Sequence, residues 1–321
     1  MSYRSLLTVL MLLLPVVGFS QSSNWNSAVD LNISASSSDR IDLYTDKDGN
    51  HVIVQKSNQL VYYLFSATGS QVRTSTRDNN VNEDPKLSRI VGWQGKLYII
   101  YKEGDKIKTQ KSTDAGANWS TTAVNEITMN SSTSNGLDAW TDADGVHLVY
   151  SEYDNSNSSY KTMYQRNDGD QSNWVEQKEV TDLEGDAGGF PSVTTSANRV
   201  HVAFVSGDEI IPSTANYPTK TRDRHNSTWQ SSQDLIDESC LARIISDGTS
   251  LHGFYYEFYI GPIGLTFGLH HRTRSVSGSS WTNTPTALYP NTDPVNSPIE
   301  MGVTNDDVLH VAYSTPGDIY I

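Results

Sequence analysis

Ser112-Thr113-Asp114-Ala115-Gly116-Ala117-Asn118-Trp119 places a hydroxyl, a carboxylate, a glycine and an indole at fixed offsets. Asp offers a side-chain acceptor to turn N–H groups and Gly tolerates a positive φ, so the stretch reads as a hairpin turn. The indole buries a large area and needs a partner for its N–H, so Trp119 reads as an anchor in the core. Weaker copies recur: Asn167-Asp168-Gly169 precedes Trp174, Ser277-Gly278 precedes Trp281, and Ser66-Ala67-Thr68-Gly69 is followed by Val72. With Trp229, the indoles at 119, 174, 229 and 281 form a column spaced by 52 to 55 residues.

A second column runs out of phase with the first. Asn50-His51-Val52-Ile53, Leu97-Tyr98-Ile99-Ile100, Val146-His147-Leu148-Val149, Val200-His201-Val202-Ala203, Leu251-His252-Gly253-Phe254 and Leu309-His310-Val311-Ala312 each put a ring residue near the start of an apolar strand. The ring positions lie 47 to 58 residues apart, about one four-stranded blade each. Turn-forming loops precede them, such as Asp46-Lys47-Asp48-Gly49 and Asp142-Ala143-Asp144-Gly145. No stretch after residue 20 sustains a helical apolar period, so the expected fold class is all-β. The strand histidines read as structural members of the repeat, and the Asp-x-Asp-Gly loops lack the further ligands of a calcium site, so neither metal nor cofactor is expected.

These residues carry a resemblance. Ser112, Asp114, Gly116 and Trp119 resemble the Asp-box of the sialidase-like, BNR-repeat β-propellers. The resemblance implies that Asp114 caps its own turn, that the tryptophans pack between sheets, and that the boxes lie on the face opposite the ligand site. Trp25 stands 26 residues before His51, and the other Trp-to-ring distances are 23 to 29, so Trp25 belongs to the indole column. The expectation is a six-bladed propeller of four-stranded blades over residues 21–321. It is closed by pairing the N-terminal strand, near 25–32, with the last strand at 318–321, which removes open sheet edges.

The first twenty residues, with Arg4 before an apolar run from Leu6 to Phe19 and small residues near Ser20, read as a signal peptide. Export to the periplasm or the medium follows, with no membrane insertion and a monomeric product. Removing residues 1–20 takes away Arg4 and no acid, so the formal charge of −14 becomes −15. Such a surface repels polyanions, which excludes nucleic acid as a partner. Cys240 is the single cysteine, so stability must come from the core and not from an intrachain disulfide.

Candidate site residues follow from loop length and charge. The connections at 207–219 and 257–266 are the long ones, and they carry Asp208, Glu257 and Tyr259. Residues nine before each ring position are Asp42, Arg89, Asp138, Ser192, Arg243 and Met301, on the expected innermost strands. Asp42, Arg89 and Asp138 either pair with one another or face solvent at the channel mouth, whereas Arg243 has no evident partner in that column. Arg243, Glu257, Tyr259 and Asp208 are therefore expected to border one pocket, where carboxylates, a phenol and a guanidinium suit sugar hydroxyls or a sugar carboxylate. Sialidases imply an arginine triad and an Arg-Ile-Pro motif. Here Arg40-Ile41 precedes Asp42, and Arg40, Arg89 and Arg243 are the guanidiniums available. The leading expectation is binding of an extracellular glycan or glycoprotein; a glycoside hydrolase, a polysaccharide lyase and a protein-interaction scaffold are the alternatives.

Overall fold

The computed structural model describes residues 31, 33–34, 39–81, 87–120, 126–168, 174–181, 188–196, 198–206, 218–237, 240–261, 264–282, 286–292, 299–303, 309–315 and 318–320. The chain forms two compact units, Met1–Glu126 and Ile127–Ile321. Every regular element among the described residues is a strand. No helix there is long and apolar enough to cross a membrane.

The first unit holds two antiparallel sheets. One runs in chain order through β1 (Arg40–Asp46), β2 (Gly49–Gln55), β3 (Leu60–Phe65) and β4 (Gln71–Asp78). The other runs through β5 (Ser88–Trp93), β6 (Lys96–Glu103) and β7 (Lys106–Ser112); the two-residue β8 (Ile127–Thr128) opens the second unit. The β2, β3, β5 and β6 strands are almost wholly buried, while β4 alternates exposed and half-buried residues. Ile53, Leu60, Tyr62, Leu64, Ile90, Ile99, Tyr101 and Trp119 form the core between these sheets.

The second unit repeats the scheme. β9 (Leu137–Asp142), β10 (Gly145–Asp154), β11 (Ser159–Asn167) and β12 (Val175–Glu179) make its first sheet. The next contains β13 (Gly189–Ser196), β14 (Arg199–Val205), β15 (Thr219–His225), β16 (Thr228–Trp229) and β17 (Gln233–Ile236), the last two both pairing with β15. A third is built from β18 (Cys240–Ser246), β19 (Ser250–Gly261), β20 (Gly264–Ser275) and β21 (Thr286–Thr292). β22 (Glu300–Val303), β23 (Leu309–Thr315) and β24 (Asp318–Tyr320) form a three-stranded sheet. Consecutive sheets bury apolar faces against each other: Val149 and Tyr164 meet Val193 and Phe204, Ala203 and Leu235 meet Ile244 and Trp281, and Phe254 and Tyr256 meet Ile299. Trp25 and the strand expected to complete the last sheet lie outside the described residues, as does the leader.

Each ring position falls on the second strand of its sheet, and in four sheets the histidine is a brace. His51 Nε2 meets Asp46 Oδ1 at 2.9 Å and its Nδ1 meets the Tyr62 hydroxyl at 2.7 Å, tying the first hairpin turn to β3. His147 repeats this with Asp142 and Tyr164, both at 2.9 Å. His201 exchanges the partners, with Ser196 Oγ at 2.6 Å on the turn side and Asp223 Oδ1 at 2.8 Å on the third strand. His252 meets Asp247 Oδ2 and His271 Nε2, both at 3.0 Å. The indole column then packs on those third strands, with Trp119 edge-on to Tyr62 at 5.0 Å and Trp229 edge-on to Tyr164 at 5.2 Å. Such aromatic pairs are worth about 0.5 to 1.5 kcal/mol beyond their buried area.

The His252–His271 brace carries a pH prediction. Burial, followed by repulsion from His252, pulls His271 down to about 4, whereas the unfolded chain protonates near 6.5. Stability from the neutral ring is therefore complete above about pH 6.5 and is lost as the pH falls toward 4. Melting temperatures should fall across that window, and the fall should be shallower in His271→Gln. Equal slopes for the two proteins would exclude His271 as the source.

Candidate functional site

The Ser112–Trp119 turn closes on itself. Asp114 Oδ1 accepts from the Asn118 amide N–H at 2.8 Å and from Ser112 Oγ at 2.8 Å, while Asp114 Oδ2 accepts from Asn118 Nδ2 at 2.7 Å. These donors hold the Asp114 carboxyl down to about 2. Ser112, itself buried, also accepts from the Gly116 N–H at 2.9 Å, and Trp119 Nε1 donates to Gly116 O at 3.1 Å. Asp114 is exposed, so Ser112 rather than Asp114 satisfies the buried donor of the turn.

The inner-strand column has one recurrent job in this structure. Asp42 Oδ2 accepts from the Ile90 N–H at 2.7 Å, Asp138 Oδ2 from the Val193 N–H at 3.0 Å, and Ser192 Oγ from the Ile244 N–H at 3.2 Å. In each case the donor belongs to the residue that follows the column position of the next sheet. The column thus latches the first strand of one sheet to the first strand of its neighbour. Arg89 Nη1 also stands 3.7 Å from Asp42 Oδ1. Of the expected Asp42, Arg89 and Asp138 pairing, the Asp42–Arg89 pair is present, combined with a side-chain to backbone latch that charge counting does not anticipate.

Arg243 sits on β18, opposite Phe254, and is half-buried. Its Nη1 donates to Pro191 O at 3.1 Å, reaching back to the preceding sheet. Among the described residues no carboxylate lies within ion-pair reach of Arg243. The residue before that proline, Phe190, has φ +51 and is buried, the one aromatic among the described residues with positive φ. It precedes a proline, a position already restricted in φ and ψ, and its conformation costs about 1 to 3 kcal/mol. Asn135 holds it: Asn135 Oδ1 accepts from the Phe190 N–H at 3.2 Å and from Ser151 Oγ at 2.5 Å. The register shift between Gly189 and Ser192 is the backbone's response. Asn135 Nδ2 is buried without a hydrogen-bond partner among the described residues.

The Asn135–Phe190 and Arg243–Pro191 bonds thus join the start of β13 to the turn before β9 on one side and to the middle of β18 on the other. The 257–266 segment, expected as a long loop, is instead a continuation of strands β19 and β20. Their ladder runs on to Tyr259 opposite Thr266 and Gly261 opposite Gly264, beyond the last β18 pair at Cys240 and Tyr256. Alternating apolar and small or polar residues, Phe258 opposite Phe267 and Ile260 opposite Leu265, explain why a ribbon forms here. It rises from the end of the sheet at which β18 begins. Glu257 and Tyr259 are placed on it through their backbone, and Asp208 lies outside the described residues. Phe190 and Asn135 were missed in the sequence; Gly188-Gly189-Phe190-Pro191 and Asn135-Gly136 were the available signals.

Glu152 is a further buried carboxylate, accepting from the Asn130 N–H at 3.1 Å and from Asn130 Nδ2 at 2.8 Å. Asp138 is opposite Val149, three residues before Glu152 on β10, so Asp138 and Glu152 point to opposite faces of one sheet. They do not converge as an acid and base must. Among the described residues no group of three His, Cys, Asp or Glu side chains is placed to hold a metal.

No family model matches the chain, and no curated protein matches it in sequence. Solved structures match it in fold. An α-L-arabinanase of Penicillium chrysogenum complexed with arabinobiose superposes with TM-score 0.54 at 12% identity, covering 86% of this chain and 88% of its own. An α-L-arabinofuranosidase of Fusarium graminearum with an iminosugar inhibitor gives 0.51 at 13% identity, covering 89% and 90%. A mutant of that enzyme gives 0.53 at 12% identity, covering 86% and 87%. At these identities the likeness is one of fold, and the fold is a β-propeller of antiparallel sheets.

Proposed function

We propose that this protein is a carbohydrate-recognising β-propeller that holds a glycan where β9, β13 and β18 begin. The observation that carries the reading is Phe190, a buried aromatic at positive φ whose N–H is held by Asn135, beside the Pro191 carbonyl that Arg243 bonds. Strain of that kind persists where surrounding bonds over-determine it, and it clusters at ligand sites. Arg243 offers planar donors to a carboxylate or a vicinal diol, and the β19–β20 ribbon that carries Glu257 and Tyr259 extends from the end of the same sheet at which β18 begins. Matching folds in an arabinanase and an arabinofuranosidase support carbohydrate as the ligand class.

Hydrolysis is the second reading, favoured by those same enzymes. Against it stand the opposed faces of Asp138 and Glu152 and the latch role of Asp42 and Asp138, since a glycosidase needs two carboxyls about 5 to 10 Å apart across one cleft. A glycan panel that includes arabino-oligosaccharides, run beside a release assay on the same polysaccharides, separates the two. Binding without release is expected. Release of sugar would install the hydrolase, and no binding across the panel would leave the scaffold.

The finer architecture belongs to the same proposal: six blades of the Asp-box type, closed by the 21–32 segment against β24. The six successive sheets and the Trp25 spacing support it. Deleting residues 21–32 should lower the melting temperature by more than ten degrees, roughly the effect of losing a whole strand's burial. An unchanged transition would remove the closure.

A further inference from the structure

Beside the Ser112–Trp119 turn, the two sheets of the first unit leave a groove of about 400 Å³, lined by Ser75, Arg77, Gln110, Asn118, Trp119 and Ser120. The β4 strand builds one wall because its half-buried residues, Arg73, Ser75 and Arg77, share the face turned to the second sheet. Arg73 Nη1 donates to Ala115 O at 3.0 Å, and Gln110 Nε2 donates to Arg77 O at 3.0 Å, so the wall is fixed at both ends. The Arg77 guanidinium lies over the Trp119 ring at 5.8 Å, which keeps it extended along the groove.

The groove is incompletely satisfied. Arg77 Nη2 donates to the neighbouring Thr76 O at 3.0 Å, but Arg77 Nε and Ser75 Oγ are buried without hydrogen-bond partners among the described residues. No carboxylate there stands within ion-pair distance of Arg77. Burial pulls the guanidinium below its ordinary value, as expected for a cation whose lost water has not been replaced by an anion. In a chain of net charge −14, a half-buried arginine with no carboxylate partner among the described residues is the unusual element.

We propose that this groove is a second ligand site, distinct from the one at Arg243, for a saccharide unit carrying a single oxyanion. Arg77 receives the anion, and Ser75, Gln110, Asn118 and Ser120 supply hydrogen bonds to ring hydroxyls. The volume suits one or two sugar rings. The acidic surface disfavours a long polyanion, so the ligand is a singly charged unit, either a uronate or a sulfate ester.

NMR titration of the full chain with galacturonate, galactose 6-sulfate, galactose and inorganic sulfate tests this. At least one of the two acidic sugars should bind more tightly than galactose and than inorganic sulfate, and which one binds identifies the oxyanion. Arg77→Gln should weaken that binding at least tenfold. Ser75→Asp, which sets a carboxylate two residues along the same face of β4, should abolish binding with the melting temperature unchanged or raised. Binding of galactose as tight as that of the acidic sugars, equal binding of inorganic sulfate, no binding of either acidic sugar, or affinity that survives Ser75→Asp overturns the proposal.

Discussion

Asp223→Ala is expected to destabilise the second unit by about 3 to 5 kcal/mol, the range for removing one partner of a buried ion pair. Asp223 Oδ1 accepts from Arg274 Nη2 at 2.5 Å and meets His201 Nδ1 at 2.8 Å, and all three side chains are buried. Burial alone would raise the Asp223 carboxyl, but the bonds from His201 and Arg274 hold it below the ordinary carboxylate range. Its contribution is therefore complete above the unfolded carboxylate value and lost on acidification below it. Without Asp223, Arg274 keeps, among the described residues, its bond to Gly278 O at 2.6 Å and its place over the Trp281 ring. Chemical denaturation of Asp223→Ala and of Asp223→Ala/Arg274→Met measures the effect. The double variant should recover much of the loss, because an apolar pair replaces a stranded cation. A single variant as stable as the parent would show that Arg274 reaches another anion or solvent.

Gly116→Ala should cost about 3 kcal/mol or more. Gly116 has φ +76, and a Cβ there would fall 2.2 Å from the Tyr62 hydroxyl. Tyr62 cannot retreat cheaply, since that hydroxyl meets His51 Nδ1 at 2.7 Å and donates to Ala115 O at 3.3 Å. Backbone strain and overpacking thus act together. Asp114→Ala, although it removes the signature carboxylate, should cost less, because the two Asn118 donors it leaves are exposed and find water. Melting curves of the two variants order them; a larger loss for Asp114→Ala would place the strength of the turn in its carboxylate and not in the packing of Tyr62, Gly116 and Trp119.

The repeats were legible because they are local. A turn residue, a period-two apolar run and a ring residue recur within a dozen positions, and all six ring positions fall on the second strands β2, β6, β10, β14, β19 and β23. Counting back nine residues likewise lands on β1, β5, β9, β13, β18 and β22. What those inner residues bond to was not legible, since the partner is a backbone N–H about fifty residues away whose position depends on how two sheets stack. The same holds for Phe190: the Asn135 amide that holds its N–H lies 55 residues back, and Arg243, 52 residues on, bonds the carbonyl of the adjoining Pro191. The 257–266 segment misled for a different reason. Gly261, Pro262 and Gly264 signal a loop, yet the register continues to within two residues of the tip.

Calorimetric titration of the parent protein and of Arg243→Ala with a glycan bound in the panel tests the central claim most directly. The expected result is an affinity at least tenfold weaker in the variant, about 1.4 kcal/mol, with Glu257→Ala behaving alike and both melting temperatures within a few degrees of the parent. Unchanged affinity in a folded Arg243→Ala protein would contradict the claim.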